Sequence, residues 1–403
     1  MEMMYNQYLK TLVIFIILFA LPICGNWLFL YNSGELLPVE EIAHKQCVNN
    51  QQCIVGLATR NQGYYYKKAL YQETKPKVLI LGSSRVMQFR KAFFSQSMIN
   101  AGGAMNSINE GLSFLRDVLK ESTPEAVIIG LDYWWFNQNA LEPSLAVKPP
   151  PKLSHTLTLR SYLLPYKWLW QQKITLGQYV QRMNPLYSFL EHAEYGIGVD
   201  GIFYQNGFAE DGSYVYTKTI TGREKNIDDK FELSFTSMAQ NGPRFEYGDS
   251  IDATHFEQFK EIVKLLEGNK IKVYFFIAPL APRIANKMDE YQKEYAFIAT
   301  LRSTLTAAGI SFMDFHHPDL IGATDCEFID GIHGGDLVYA KILRSLAATH
   351  PTLNAYVDHQ YLTQVTHYYR DIAMIPPQNV QQTEIDFLHL GCDKSTQYVS
   401  LRS

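Results

Sequence analysis

The chain has 403 residues, of which 47% are hydrophobic and 19% charged, enough to bury one large domain or two modest ones. A formal net charge of -4 gives no electrostatic case for nucleic acid as a partner. Aromatic residues make up 13%, a content that suits a large core, a membrane-proximal surface or a sugar-binding face.

The first segment sets the expected compartment. Residues 1–10 read as a short cytoplasmic tip. From Thr11 to Gly34 there is no charged residue, and Leu12–Leu30 is rich in Leu, Ile and Phe. Such a run is long enough to cross a hydrocarbon core as a helix. Lys10 precedes it and Glu35, Glu40 and Glu41 follow it, so the positive-inside rule puts the remainder of the chain outside the membrane, in a periplasmic or cell-surface space. Pro22-Ile23-Cys24-Gly25 is a poor signal-peptide or lipoprotein cleavage site, and the expectation is an uncleaved anchor over 11–34. Cys24 lies within that run. The other four cysteines, Cys47, Cys53, Cys326 and Cys392, are an even number in a segment expected to meet an oxidising space. Of their three pairings, Cys47–Cys53 closes the shortest loop and would leave Cys326 for Cys392. No cysteine or histidine spacing suggests a metal site.

Residues 35–75 read as a membrane-proximal stalk, and an α/β domain is expected over 76–350. Lys77–Leu81 is an apolar run that ends on Gly82 and reads as a buried strand. Val86–Phe94 is expected to form a short helix, Met98–Asn100 a second strand and Ser107–Glu121 a helix with Ile108, Leu112, Leu115 and Leu119 on one face. Ala126–Leu131 is a continuous apolar run, the mark of a strand covered on both faces. Residues 138–250 break the rhythm and read as an insertion. Within it, Arg160–Arg182 is basic and aromatic, a composition that fits a membrane surface, a partner, a glycan groove or simple packing on its own domain. The rhythm resumes with Asp252 as an N-cap, a fourth strand Lys270–Ile277, a helix over Ile284–Ala308, a fifth strand Ser311–Phe315 and a last helix over Leu337–Ala348, which Asp336 is placed to cap. Residues 351–403 form an extension without strong pattern, apart from a helical stretch over Tyr361–Ile375. Strands alternating with helices imply a doubly wound parallel sheet in flavodoxin-like order, 2-1-3-4-5, with the end of the first strand at the switch point.

Chemistry is expected there. Gly82-Ser83-Ser84-Arg85 places a hydroxyl just past the first strand. A serine is a weak nucleophile without a base and a group that orients the base. Asp330-Gly331-Ile332-His333, between the last strand and the last helix, offers both. Ser83 is the rival nucleophile. Arg85 is a candidate either to bind an anionic or carbonyl group or to pair with a surface carboxylate, His316 and His317 follow the fifth strand as ordinary loop or as lining of the site, and Asp211-Gly212-Ser213 reads as a turn.

Strand-Gly-Ser-Ser, then Asn100-Ala101-Gly102-Gly103, then Asp-x-x-His before a C-terminal helix resembles the SGNH (GDSL-type) hydrolases. The resemblance covers scattered blocks of residues 76–348. It implies Ser84 as nucleophile, Asp330 and His333 as acid–base pair, and oxyanion donors from the backbone of Ser84 and of Gly102 or Gly103. With the expected anchor, it is most similar to the extracytoplasmic acyl-transfer branch, whose members act in teichoic-acid D-alanylation and alginate acetylation. It therefore implies transfer of an acyl group, most simply acetyl, to a cell-envelope polysaccharide or glycolipid. No metal or soluble cofactor would be needed, and a membrane-bound O-acyltransferase partner would supply the acyl group. The alternatives are an esterase or lipase, or an inactive scaffold that binds glycan or a partner. The chain departs from the family in the third block, where Gly130–Asn137 holds no Gly-x-Asn-Asp. Asn106, Asp132 and Asn137 are the candidates to fill that role or to touch substrate. Gly248-Asp249-Ser250 copies the family signature on paper, but no buried strand precedes it, and it reads as a loop leading to the Asp252 cap.

Overall fold

A computed structural model of the full chain describes residues 2–48, 53–59, 63–140, 159–184, 196–376 and 383–395. The chain divides into two compact units: residues 1–62 with 153–207, and residues 63–152 with 208–403. The folded α/β unit thus begins at Gly63, before the expected boundary at Pro76. The expected insertion is shared between the units.

In chain order the elements used below are α1 (Glu2–Asn32), α2 (Val39–Val48), α3 (Gly63–Thr74), β1 (Val78–Gly82), β2 (Met98–Gly102), α4 (Ile108–Val118), β3 (Ala126–Leu131), α5 (Leu159–Tyr162), α6 (Leu164–Trp170), α7 (Leu176–Arg182), α8 (Val199–Tyr204), α9 (Ala253–Gly268), β4 (Lys272–Ile277), α10 (Ala296–Ala307), β5 (Phe312–Asp314), α11 (Asp336–Thr349) and α12 (His359–Tyr368). The expected helix over Val86–Phe94 is two 3-10 turns instead, Ser84–Val86 and Lys91–Phe93. The expected long helix over Ile284–Ala308 is broken into Pro282–Asp289 and α10.

The α/β unit is built on one five-stranded sheet, all parallel, in the order β2-β1-β3-β4-β5. Every residue of β1, β2 and β3 is buried, which is why β1 and β3 are unbroken apolar runs rather than alternating ones, while β2 is interrupted by Asn100. Helices cover both faces of the sheet, as adjacent residues of β4 show. Phe275 meets Phe259 of α9 at 5.2 Å, and Phe276, pointing the other way, meets Tyr339 of α11 at 6.5 Å. Asp252 caps α9 by accepting from the His255 N–H at 2.9 Å.

Parallel pairing puts the carboxyl ends of all five strands along one edge, where open α/β sheets hold their ligands. At β1 the turn is made possible by two glycines. A Cβ at Gly82 would stand 2.9 Å from the Val86 side chain, and one at Gly130 would stand 2.4 Å from it. Val86 therefore folds back over β1 and β3, and the 3-10 turn presents Ser84 at the end of the sheet.

The C-terminal extension is part of this unit. Ile372, Ala373, Phe387 and Leu388 are buried. The Glu384 carboxylate accepts from the N–H groups of Ala373 and Met374 and pairs with Lys394 at 2.7 Å. A disulfide joins Cys326 to Cys392. The Cys47 side chain, and with it the other expected pairing, lies outside the described residues.

In the smaller unit α1 is one unbroken helix. Among the described residues no helix is long and apolar enough to cross a membrane; the side chains of residues 13–22, the centre of the expected anchor, are outside the described residues. The C-terminal end of α1 is packed: Phe29 and Leu30 are buried with Trp168, Ile174, Tyr179 and Val199.

Candidate active site

The 3-10 turn after β1 and the loop before α11 meet at one point. Ser84 Oγ lies 2.8 Å from His333 Nε2, and His333 Nδ1 lies 2.7 Å from Asp330 Oδ2. The other oxygen of Asp330 accepts the backbone N–H groups of Ile332 and His333, at 2.8 and 2.7 Å. One carboxylate thus folds the loop around itself and holds the ring. Burial alone would raise the Asp330 pKa. The charge on His333 and these hydrogen bonds outweigh it and keep the carboxyl below its ordinary value. Ser84 and His333 are each partly exposed, as a group that must meet substrate has to be.

Ser83 takes a different part. It is buried, and its hydroxyl caps the 3-10 turn by accepting from the Arg85 N–H at 3.2 Å. Of the two adjacent serines, only Ser84 faces the imidazole.

Arg85 is not a ligand-facing cation. It is 1% exposed, and its guanidinium points into the protein. Nε donates to Ile332 O at 2.9 Å, Nη1 to Asp132 Oδ1 at 3.0 Å and Nη2 to Pro279 O, and the group stacks 4.9 Å from the Trp134 ring. One side chain thus joins the end of β1 to the ends of β3 and β4 and to the loop between Asp330 and His333. Asp132, expected near substrate, is its counter-ion. Burial raises the Asp132 pKa and Arg85 offsets part of that rise.

The expected oxyanion donors divide. The Gly102 N–H is committed to Asn100 Oδ1 at 2.7 Å and the Gly103 N–H to Gly82 O at 3.0 Å. Asn100 turns its side chain back along its own strand and also donates to Val86 O and Phe89 O. Among the described residues the Ser84 N–H has no acceptor, so of the three it alone is available. Asn106 is exposed, and its amide donates to Gly103 O and to Glu110, each at 3.0 Å. Asn137 is buried. Its amide donates to Glu246 O at 2.6 Å, and its carbonyl accepts from the Asn139 N–H. That same carbonyl explains the copied signature: a Cβ at Gly248 would stand 2.2 Å from it, and Ser250 donates its hydroxyl to Gln138 on a surface loop.

Several residues that position the loop carry no sequence signal. Asn226 donates to Ile329 O at 2.8 Å, and Asp228 Oδ2 accepts the Gly331 N–H at 2.8 Å and the Ser234 hydroxyl at 2.6 Å. Behind the loop, Asp336 does not cap α11. It is that helix's first residue, buried, and paired with Arg90 at 2.7 Å. Burial, partly offset by Arg90, pushes its carboxyl up to about 6. Arg90 also donates to the Ser213 hydroxyl in the Asp211-Gly212-Ser213 turn, where Gly212 has a φ of 80°. Tyr216 borders the site; burial first, then Tyr214 and Asp330, keep its phenol neutral. His316 is buried with its ring edge-on to Tyr133, and burial and Arg302 push it well below its ordinary value, so it remains neutral and outside the triad. His317 stands 3.3 Å from Asp289.

No protein-family model matches the chain, and no curated protein matches it.

Proposed function

We propose that the chain is a membrane-anchored, extracytoplasmic enzyme of SGNH type that transfers an O-acyl group, most simply acetyl, through Ser84 to a cell-envelope polysaccharide or glycolipid. The observation that carries the catalytic part is the unbroken relay from Ser84 Oγ through His333 to Asp330, at 2.8 and 2.7 Å. The compartment rests on the apolar run of 11–34. The acceptor and a membrane-bound O-acyltransferase that delivers the acyl group rest on the family resemblance.

In the proposed reaction His333 Nε2 takes the proton of Ser84 Oγ as the oxygen attacks the carbonyl of an ester or thioester donor. Asp330 holds the Nδ1 proton and stabilises the imidazolium that forms. The Ser84 N–H donates to the developing oxyanion. On collapse the carbon–heteroatom bond to the leaving group breaks, and His333 returns its proton to that alkoxide or thiolate. The acyl-serine is then resolved by a sugar hydroxyl, whose proton His333 accepts and then passes back to Ser84 Oγ. Water in place of the sugar would make the same site an esterase. A fluorophosphonate probe should label the folded protein at Ser84 and fail to label Ser84→Ala, with Ser250→Ala unaffected.

A second reading, an inactive SGNH-type scaffold that binds glycan or a partner, draws on the committed N–H groups of Gly102 and Gly103. Absence of Ser84 labelling in folded protein would select it.

A further inference from the structure

Helices α6 and α7 are apolar on two faces. α6 buries Pro165 and Trp168, yet Leu163, Tyr166 and Trp170 on its other side are 49%, 39% and 89% exposed. α7 buries Tyr179 against α1, yet Leu176 and Val180 are 68% and 53% exposed. Outer faces in the α/β unit differ: α9 exposes Glu257, Glu261 and Glu267. A helix layer that met only water would carry such charges on its outer side.

These helices are fixed to α1 where its charge-free run ends. Asn26 is fully buried, donates to Tyr162 O at 2.7 Å and accepts from the Tyr179 hydroxyl at 2.6 Å. Asn32 donates to Arg182 O at 2.8 Å, and Arg182 donates back to Asn32 O at 2.9 Å. A Cβ at Gly25 would meet Met183 Sδ at 2.8 Å, so glycine there permits the close approach of α7. On this same stretch of α1, Ile23, Trp27 and Tyr31 form an exposed stripe, with the Trp27 and Tyr31 rings stacked 5.3 Å apart. Polar side chains satisfied within the unit, with aromatic and aliphatic ones turned outward, are what the boundary between headgroups and acyl chains selects.

Charge points the same way. Between Glu142 and Glu191 the sequence holds no acidic residue but has Lys148, Lys152, Arg160, Lys167, Lys173 and Arg182. Arg160 and Lys167 are exposed, whereas Lys173 pairs with Asp200 at 2.9 Å. Basic and aromatic residues together match a surface of anionic phospholipid.

We infer that α5–α7 are an interfacial collar: they lie in the headgroup–acyl boundary of a phospholipid bilayer, around the point where α1 leaves it. This rests on the anchor reading of α1. The test uses the full chain with Cys24→Ala, carrying in turn Trp170→Cys, Leu176→Cys or, as control, Leu320→Cys, which is 75% exposed in the α/β unit. Each cysteine is labelled with an environment-sensitive nitrobenzoxadiazole probe. The protein is then reconstituted into vesicles of phosphatidylethanolamine and phosphatidylglycerol that include a phospholipid with brominated acyl chains. Probes at 170 and 176 should emit blue-shifted light and be quenched several-fold more than the probe at 320. Equal quenching at all three positions overturns the collar. A blue shift without lipid quenching also overturns it, in favour of a protein covering this face. Extraction with alkaline carbonate reports on α1 separately. A resistant chain with unquenched probes loses the collar alone; an extracted chain with unquenched probes loses both readings.

Discussion

The two sides of the candidate site are held by different means. Ser84 is placed by the sheet: a buried central strand, two glycines and the Val86 side chain that folds over them. The Asp330–His333 loop is placed by side chains from far along the chain, namely Arg85, Asn226 and Asp228. In this contrast the position of the candidate nucleophile follows from strand topology, while that of the candidate base depends on a polar network with no local pattern. Arg85 is where the two systems join, since it belongs to the serine turn and bonds the loop at Ile332.

The largest effect should come from the loop's own carboxylate. Asp330→Asn keeps an acceptor for the backbone but loses the charge that stabilises the imidazolium. The rate of Ser84 acylation, followed with a chromogenic acetate ester, should fall by roughly 10⁴-fold, as for other triad carboxylates. A loss of only a few-fold would mean that backbone geometry alone orients His333.

Next is the joint. Arg85→Met leaves Asp132 buried and unpaired, which costs about 3–5 kcal/mol of stability. Urea unfolding should show that loss, and Arg85→Met with Asp132→Leu should recover much of it while acylation stays impaired. Full recovery of activity in the double variant would show that the tie to Ile332 does not position the loop.

The pH dependence tests the buried pair behind the loop. Asp336 has its folded-state pKa raised from 3.8 to about 6. It therefore binds its proton more readily folded than unfolded, and the stability this contributes is fully present below the unfolded value. That contribution is lost as pH rises through about 6, with an upper limit of roughly 3 kcal/mol. Asp336→Asn should flatten the unfolding free energy between pH 4 and 7. An unchanged slope would assign the titration elsewhere.

The smallest effect is expected at the clamp. Asp228→Ala leaves the Gly331 N–H and the Ser234 hydroxyl without their acceptor, at about 1–3 kcal/mol. Fluorophosphonate labelling of Ser84 should slow by a few-fold. A variant with wild-type labelling would mean the loop holds its shape through Asp330, Arg85 and Asn226 without Asp228.

Much of this was legible in the sequence, for identifiable reasons. Continuous burial makes β1, β3 and most of β4 unbroken apolar runs, so the 2-1-3-4-5 order followed from handedness and chain order. Ser84, Asp330 and His333 are brought together because strand ends and loops fix them. For Arg85 the sequence left ligand binding and a surface ion pair open, and the ion pair found is a buried one, because its acceptors, two of them backbone carbonyls, lie 47 to 247 residues away in sequence. Gly102 and Gly103 read as oxyanion donors because nothing in the motif reveals that Asn100 turns back to claim one of them. The tail after Pro351 looked patternless because Glu384, Lys394 and Cys392 hold it, rather than an amphipathic helix alone.

The central claim is that Ser84 is an activated nucleophile. Intact-mass measurement of the full chain after exposure to a fluorophosphonate, followed by peptide mapping, tests it directly. One adduct is expected, on Ser84, and it should be absent in both Ser84→Ala and His333→Ala. An unmodified Ser84 in folded protein, or an adduct on Ser83 or Ser250, contradicts it.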